Sequence, residues 1–399
     1  MTHSIDAPEV ADLLLCSETQ QIQAGYFHTL HEILQQPSTW LDTCQRLIGH
    51  GPELAAKLAG MSSIVVTGSG SSQFAGECVR QVLQKELTIA VEAVDGGALL
   101  THGGRAMPPG RPALVVSLAR SGDSPESVGA VSLLLETEPS VRHLVLTCNR
   151  NGGLARRRNG EDGIEAVVLD ARTNDRSLVM TSSFTNLVLA ARFLGMHTKP
   201  ERYRAACTAL SELCTLLLTS HTGAIARVAR SGFRRAVFLG SGPNFGAARE
   251  AALKMLEMTG GRVPAIAETY LGLRHGPMSF VHEDTLLVCF LSSDPLLRQY
   301  ESDLIRELNR KKLGSGKLLS GERIGTDLPA AGDTAIELPG MAELGDDNTP
   351  VLHVVAGQLL AFFRCRQEGL KPDSPSEDGV ISRVVEGFPL HRHAQRVDL

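Results

Sequence analysis

Two stretches of the chain restate each other. The β-branched run Ser63-Ile64-Val65-Val66-Thr67 leads straight into Gly68-Ser69-Gly70-Ser71-Ser72, and Ala236-Val237-Phe238-Leu239 leads straight into Gly240-Ser241-Gly242. Gly240 stands 172 positions after Gly68, and an Ala-rich amphipathic helical pattern follows each turn. Strand, glycine turn and helix N-terminus together present free backbone N–H groups to an anion. Their recurrence at this interval predicts one doubly wound domain duplicated in tandem, not two unrelated folds.

The surrounding pattern agrees. Further strands are expected at Ile89 to Val94, Ala113 to Ser117 and His143 to Thr147, with a helix from Pro125 to Leu135. In the second half, strands are expected at Val263 to Ala267, Thr285 to Leu291 and Thr334 to Leu338, with helices over Pro295 to Leu308 and Thr349 to Arg366. Strands alternating with helices mean parallel βαβ units, whose right-handed crossovers gather the Gly- and Ser-rich loops along one sheet edge. The fold expected is therefore α/β, with two tandem doubly wound parallel sheets of three-layer, flavodoxin- or Rossmann-like α/β/α type. The boundaries read as N-terminal helices over 1–44, a first α/β domain over 45–200, a helical connector over 201–231, a second α/β domain over 232–370 and an extended tail over 371–399. The N-terminal helices are expected to pack on a domain or on a partner subunit. The tail, rich in Pro, Asp and Ser after Glu368, reads as crossing a surface.

With 399 residues the chain suffices for two domains, each with its own core, and 43% apolar but only 4% aromatic residues suit an aliphatic α/β protein. A net charge of -5 argues against a nucleic-acid surface, so an anionic ligand must be held by local donors. Eight cysteines form no C-x-x-C pair, which predicts buried free thiols and a reducing compartment. Asp6, Glu9 and Asp12 near the start are unlike a signal peptide, and no apolar run approaches the ~20 residues of a membrane span. A soluble, cytoplasmic protein is expected.

The residues that carry chemistry cluster at two kinds of place. The first-half loops supply hydroxyls: Ser69, Ser71 and Ser72 after one strand, and Ser117-Leu118-Ala119-Arg120-Ser121-Gly122-Asp123-Ser124 after another. Serine hydroxyls, helix N-terminal N–H groups and Arg120 would make a cradle for a phosphate dianion, although the same serines also suit plain N-caps. The turn is not a full G-x-G-x-x-G, because Gln73 stands at the third glycine position, so a nicotinamide cofactor fits poorly. No phosphate-binding G-x-x-x-x-G-K-[ST] loop occurs, and no metal is called for: His28 and His31 lack partners at ligand spacing, and His391-Arg392-His393 reads as solvated tail. In the second half, Glu250, Lys254 and Glu257 share one helix face, and His275 follows inside Leu273-Arg274-His275-Gly276-Pro277. A helix with that pattern also suits a solvated face with an ordinary ion pair. The glycine turn before it and the His-Gly-Pro after it favour proton shuttling on a sugar.

Gly68 to Ser72, Ser117 to Ser124 and the Glu257…Arg274-His275-Gly276-Pro277 pattern resemble tandem sugar isomerase (SIS) domain proteins over roughly residues 45 to 385. Met180-Thr181-Ser182-Ser183-Phe184-Thr185-Asn186 and the tail segment Gly369-Leu370-Lys371-Pro372-Asp373 bring the likeness nearest to the AgaS-type galactosamine-6-phosphate deaminases, also called tagatose-6-phosphate ketose/aldose isomerases. The resemblance implies phosphate binding by the serine loops (Ser69, Ser71, Ser72, Arg120, Ser121, Ser124) and sugar contacts from Thr181, Ser182 and Lys371. It implies that Glu257 is the base between carbons 1 and 2, with Lys254 and Glu250 beside it. It further implies ring opening by a His275 supplied by a neighbouring subunit, hence at least a homodimer. The chain is also similar to the isomerase half of glucosamine-6-phosphate synthase, but departs from it at Ala119 and Arg120, where that enzyme has serine and glutamine, and in a Glu257-to-His275 segment longer by two residues.

By this resemblance the expected reaction converts galactosamine 6-phosphate to tagatose 6-phosphate plus ammonia, without cofactor. The rivals are a glucosamine-6-phosphate deaminase, a plain aldose–ketose phosphate isomerase, and a non-catalytic phosphosugar sensor. Thr2 after Met1, and only about 45 residues before the first domain, lead us to expect no glutamine-fed synthesis.

Overall fold

A computed structural model of the chain describes residues 8–157 and 163–391. Asp6, Arg392 and His393, which entered the sequence reading, lie outside the described residues. Five short helices come first: α1 (Pro8–Leu15), α2 (Glu18–Gln23), α3 (Phe27–Leu34), α4 (Gln36–Gly49) and α5 (Gly51–Leu58). The first alternation follows as β1 (Ser63–Gly68), α6 (Ser71–Leu87), β2 (Ala90–Asp95), α7 (Gly96–His102), β3 (Ala113–Ala119), α8 (Pro125–Thr137), β4 (Arg142–Thr147), α9 (Gly153–Arg156) and β5 (Ile164–Val168). Three helices then run through the middle of the chain, α10 (Ser182–Met196), α11 (Pro200–Leu216) and α12 (Thr222–Ala229), the last two joined by a π-helical turn over Leu217–His221. The second alternation is β6 (Arg235–Leu239), α13 (Pro243–Met258), β7 (Ala265–Glu268), β8 (Thr285–Phe290), α14 (Pro295–Lys311), β9 (Gly316–Gly321), β10 (Thr334–Glu337), α15 (Met341–Leu344) and α16 (Pro350–Gln367).

Each alternation closes into a five-stranded, all-parallel sheet. The orders are β2-β1-β3-β4-β5 and β10-β9-β8-β6-β7, so each sheet counted from its own first strand reads 2-1-3-4-5. That order reverses direction between the first and third strands, and there a doubly wound sheet opens a crevice at its carboxyl edge. The duplication extends to the backbone. Gly70 and Gly242, the residues before α6 and α13, have φ/ψ of 57/-124° and 54/-128°. Both turns also need a glycine at the strand end, because a Cβ on Gly68 would stand 2.4 Å from Ser72 Cβ and one on Gly240 2.2 Å from the Asn244 carbonyl oxygen.

The inner faces of the two sheets share one core, while their outer faces keep separate ones. One apolar cluster runs from Val66 and Leu83 through Phe184 and Leu187 to Ala251, Met255 and Leu359, so α6, α10, α13 and α16 form a common layer. α6 and α13 cross closely: a Cβ on Gly246 would come within 2.7 Å of the Cys78 backbone nitrogen. Arg249 pairs with Glu77 across that crossing and lies 4.2 Å over the Phe74 ring. The N-terminal helices pack on this chain itself. Trp40 of α4 is fully buried and donates to Thr185 Oγ1 at 2.9 Å, Thr43 donates to Asn186 at 2.6 Å, and Gln36 donates to Gln358 of α16 at 2.8 Å.

Six of the labelled elements escape the sequence pattern: the short helices α7, α9 and α15, together with α10, β5 and β9. α10 is buried all round, so it carries no polar stripe for an amphipathic period to mark. β9 contains Lys317, a residue that normally speaks against a buried strand. Lys317 is 5% exposed and held 3.0 Å from Asp333. All eight cysteines are free, seven of them buried, and no helix among the described residues is long and apolar enough to cross a membrane.

Gly240→Ala is expected to destabilise the chain by about 3 kcal/mol, because its Cβ meets backbone that cannot step aside. Gly49→Ala, at an open helix position, should be neutral or stabilising by up to about 1 kcal/mol. Urea denaturation of the two variants beside the parent checks this, and equal effects would contradict it.

Candidate active site

The loops after β1 and β3 lie side by side, because the strands pair in register from Ser63↔Ala113 to Thr67↔Ser117. Behind them α6 and α8 start, so two helix N-termini converge on the crevice with their free N–H groups and positive dipole ends. The hydroxyls there are largely unspent. Ser69 Oγ is buried with no hydrogen-bond partner among the described residues, and Ser72 Oγ touches only the Met180 sulfur at 4.0 Å. Ser124 precedes α8 without capping it, and Ser121 Oγ accepts only from its neighbour's Asp123 N–H at 3.3 Å. These serines line a cavity of about 590 Å³ that also reaches Glu126, Ser127, Leu253 and Glu257.

Glu257 comes to this cavity from the other half of the chain. Its helix places Glu250 and Lys254 one turn apart, and packing against α6 and α16 buries both completely. Lys254 Nζ lies 3.2 Å from Glu250 Oε1, 2.5 Å from Glu257 Oε2, and donates to Ser71 Oγ at 3.1 Å. A single ammonium thus ties the carboxylates of the second half to the first turn of α6. Burial alone would push the lysine down, but the two carboxylates outweigh it and hold Lys254 above its usual range, so it stays charged. Burial drives Glu250 the other way for a carboxylate, up to about 7, with Lys254 opposing and Glu257 reinforcing. Glu257, with 23% of its side chain exposed, meets the cavity directly. A carboxylate at a cavity wall, beside a fixed ammonium, can take and return a proton.

The other expected residues fall elsewhere. Arg120 lines the cavity, yet its guanidinium is spent on the carbonyls of Ser177 (3.3 Å), Leu178 (2.9 Å) and Arg383. Burial lowers it from its usual range, though not out of its charged form. Thr181 and Ser182 are fully buried and do not line the cavity. Thr181 N–H and Ser182 Oγ donate to Asp175 at 2.8 and 2.9 Å, while the Thr181 hydroxyl is buried with no hydrogen-bond partner among the described residues. Lys371 is exposed at the root of the tail and packs over Gly25, away from the cavity. His275 is exposed on the loop after β7, and the cavity lining of this one chain does not include it.

The tail does more than cross a surface. Residues 379 to 386 form one wall of the cavity, with Arg383 donating to the Asp175 carbonyl and to Asn174 Oδ1, both at 2.7 Å. Asp373 fixes the root by accepting from the N–H groups of His28 (3.1 Å) and Thr29 (2.7 Å) at the start of α3. Asp175 is the residue the sequence reading missed. It accepts from the Thr181 and Ser183 N–H groups at 2.8 Å, but it stands six residues before Thr181, the residue at the start of α10, too far for a local capping signal to mark it.

In the unfolded chain Glu250 titrates near 4.5, and in the folded chain near 7. Between those values the folded chain keeps a proton that the unfolded one has lost, so stability falls as pH rises through this window. Glu250→Gln should remove about 3 kcal/mol of that decline between pH 4.5 and 7. Urea denaturation at both pH values measures it, and an unchanged slope would contradict the assignment.

No family model matches the chain. Among curated proteins it is 34% identical over 372 residues to the D-galactosamine-6-phosphate deaminase AgaS of Escherichia coli O157:H7, covering 91% of this chain and 95% of that protein. It is 33% identical over 391 residues to the D-galactosamine-6-phosphate deaminase AgaS of a Shewanella species, covering 96% of each. Among solved structures it resembles the tagatose-6-phosphate ketose/aldose isomerase of Escherichia coli, with a TM-score of 0.80 and 30% identity over 91% of this chain and 96% of that one.

Proposed function

Since the chain belongs to the AgaS family of tandem sugar-isomerase-domain proteins, we propose that it deaminates an amino-sugar 6-phosphate, galactosamine 6-phosphate, to tagatose 6-phosphate and ammonia. One observation carries this reading: Glu257 of the second half and the unspent serines of the first half open onto the same cavity. The phosphate sits on Ser72, Ser121, Ser124 and the starts of α6 and α8. Glu257 removes the proton from carbon 2 of the open-chain aldose and returns it to carbon 1. The charge that develops on oxygen meets hydroxyl and N–H donors. Water then adds to the carbon-2 ketimine, the carbon–nitrogen bond breaks, and ammonia leaves the ketose phosphate. Lys254 holds the Glu257 carboxylate in place at the cavity wall, and Glu250 lies on the other side of the ammonium. His275, exposed on its loop, opens the sugar ring in the site of a neighbouring copy, which makes the working unit at least a dimer. The free thiols suit a reducing compartment, and we assign the enzyme to the cytoplasm.

A plain ketose/aldose isomerase would use the same groups, and the name of the Escherichia coli structure favours that second reading. Ammonia decides between them. Purified protein given galactosamine 6-phosphate should release one ammonia per ketose phosphate, faster than with glucosamine 6-phosphate, and ketose formation from a nitrogen-free aldose 6-phosphate with no ammonia from any amino sugar would leave the isomerase.

Glu257→Gln should lower kcat about 10³-fold with sugar-phosphate binding retained. His275→Ala should also be inactive alone. Mixing and re-associating the two inactive variants should restore a fraction of parental activity, because one mixed site then has both groups. No recovery from a verified mixed oligomer would contradict the shared site.

A further inference from the structure

The cavity holds one group that the proposed reaction leaves idle. Glu126, the second residue of α8, lines it beside Ser124 and Ser127. Its Oε2 is buried, with no hydrogen-bond partner among the described residues. A carboxylate only accepts, and an acceptor closed off from water costs free energy unless a donor meets it. That donor must come from whatever fills the cavity.

Other roles and partners fit less well. An acid in the first turn of a helix complements the dipole, but that role asks neither for a place on a cavity wall nor for a buried oxygen left unbonded. A phosphate dianion repels a carboxylate and has no proton to give it. The neighbouring carboxylates are engaged or wet: Asp123 accepts from the Gly153 N–H at 2.7 Å, Glu257 is held by Lys254, and Glu386 of the tail is exposed. A sugar hydroxyl is neutral and donates one proton, which is what Glu126 lacks.

Position says which hydroxyl. In the reading above, Ser124 holds the phosphate and Glu257 works at carbons 1 and 2. A carboxylate two residues from Ser124 therefore meets the hydroxyls nearest the phosphate, on carbons 4 and 5. Galactosamine and glucosamine share their configuration at carbon 5 and differ at carbon 4.

We propose that Glu126 is a specificity-determining residue, accepting the carbon-4 hydroxyl of the sugar phosphate and so selecting the galacto over the gluco configuration. This rests on the phosphate reading of the cavity.

Titration calorimetry on the full chain tests it, with the two open-chain 2-amino-alditol 6-phosphates of galacto and gluco configuration. The parent should bind the galacto compound at least ~10-fold tighter, and Glu126→Ala should bring the two within about twofold by weakening the galacto compound. Glu126→Asp keeps a charge at the helix start but withdraws the acceptor by one methylene. It should lose the preference too, and it decides the matter if Glu126→Ala does not fold. The ratio of kcat/KM for ammonia release from the two amino-sugar phosphates should move in parallel. A role confined to the helix would weaken both compounds equally. An unmoved ratio in the folded variant, or a parent that binds both epimers equally, would overturn the proposal. A galacto preference that Glu126→Ala abolishes, with no ammonia released by the parent, would fault the deaminase reading and leave Glu126 in its role. A parent that binds neither compound would overturn the phosphate reading and this proposal together.

Discussion

An ammonium sealed from water is the constraint on which the rest of this structure depends. Lys254 is fully buried, and its charge is tolerable only because Glu250 and Glu257 stand beside it and Ser71 accepts its remaining proton. Removing one partner of such a cluster leaves an uncompensated buried charge, at a cost of about 3–5 kcal/mol. The cluster therefore fixes more than a side chain. It fixes the start of α6, which belongs to the first sheet, against the middle of α13, which belongs to the second. Loop hydroxyls and carboxylate meet at one cavity because this contact holds the halves in register.

Duplication followed by division of labour explains why both halves are needed. α6 and α13 leave equivalent glycine turns, and Glu77 of one pairs with Arg249 of the other, residues that occupy equivalent places in the repeat. The side chains around that shared backbone differ. At the places of Glu250, Lys254 and Glu257, α6 carries Cys78, Val82 and Lys85, so it has no carboxylate pair to offer. At the places of Ser71 and Ser72, α13 carries Pro243 and Asn244. One half retains open donors, and the other retains acid and base groups.

Much of this was legible in the sequence. The glycine turns, eight of the ten strands and the Glu-Lys-Glu face of α13 are local patterns, and local patterns survive without coordinates. What was not legible depends on distant partners. Lys317 belongs in a buried strand only because Asp333 meets it, and α10 has no polar face because neighbours surround it. Arg120 looks like an anion ligand until the carbonyls of Ser177, Leu178 and the tail's Arg383 are found to occupy it. Ser182 looks like a sugar contact until its hydroxyl is found on Asp175. For Arg120 and Ser182 the residue type marks a polar group, but the partners within the chain that take it up lie far off in sequence or outside any local pattern.

The tail completes the enclosure, with residues 379 to 386 across the cavity and Arg383 anchored to Asn174 and Asp175. The central claim is that phosphate donors from the first half and a carboxylate from the second act on one molecule. A crystal structure of the chain with an open-chain 2-amino-alditol 6-phosphate measures this most directly. The account predicts the phosphate on Ser72, Ser121 and Ser124, with carbons 1 and 2 within about 3.5 Å of the Glu257 carboxylate. A phosphate seated at the Gly240–Pro243 turn, or a sugar chain directed away from Glu257, would contradict it.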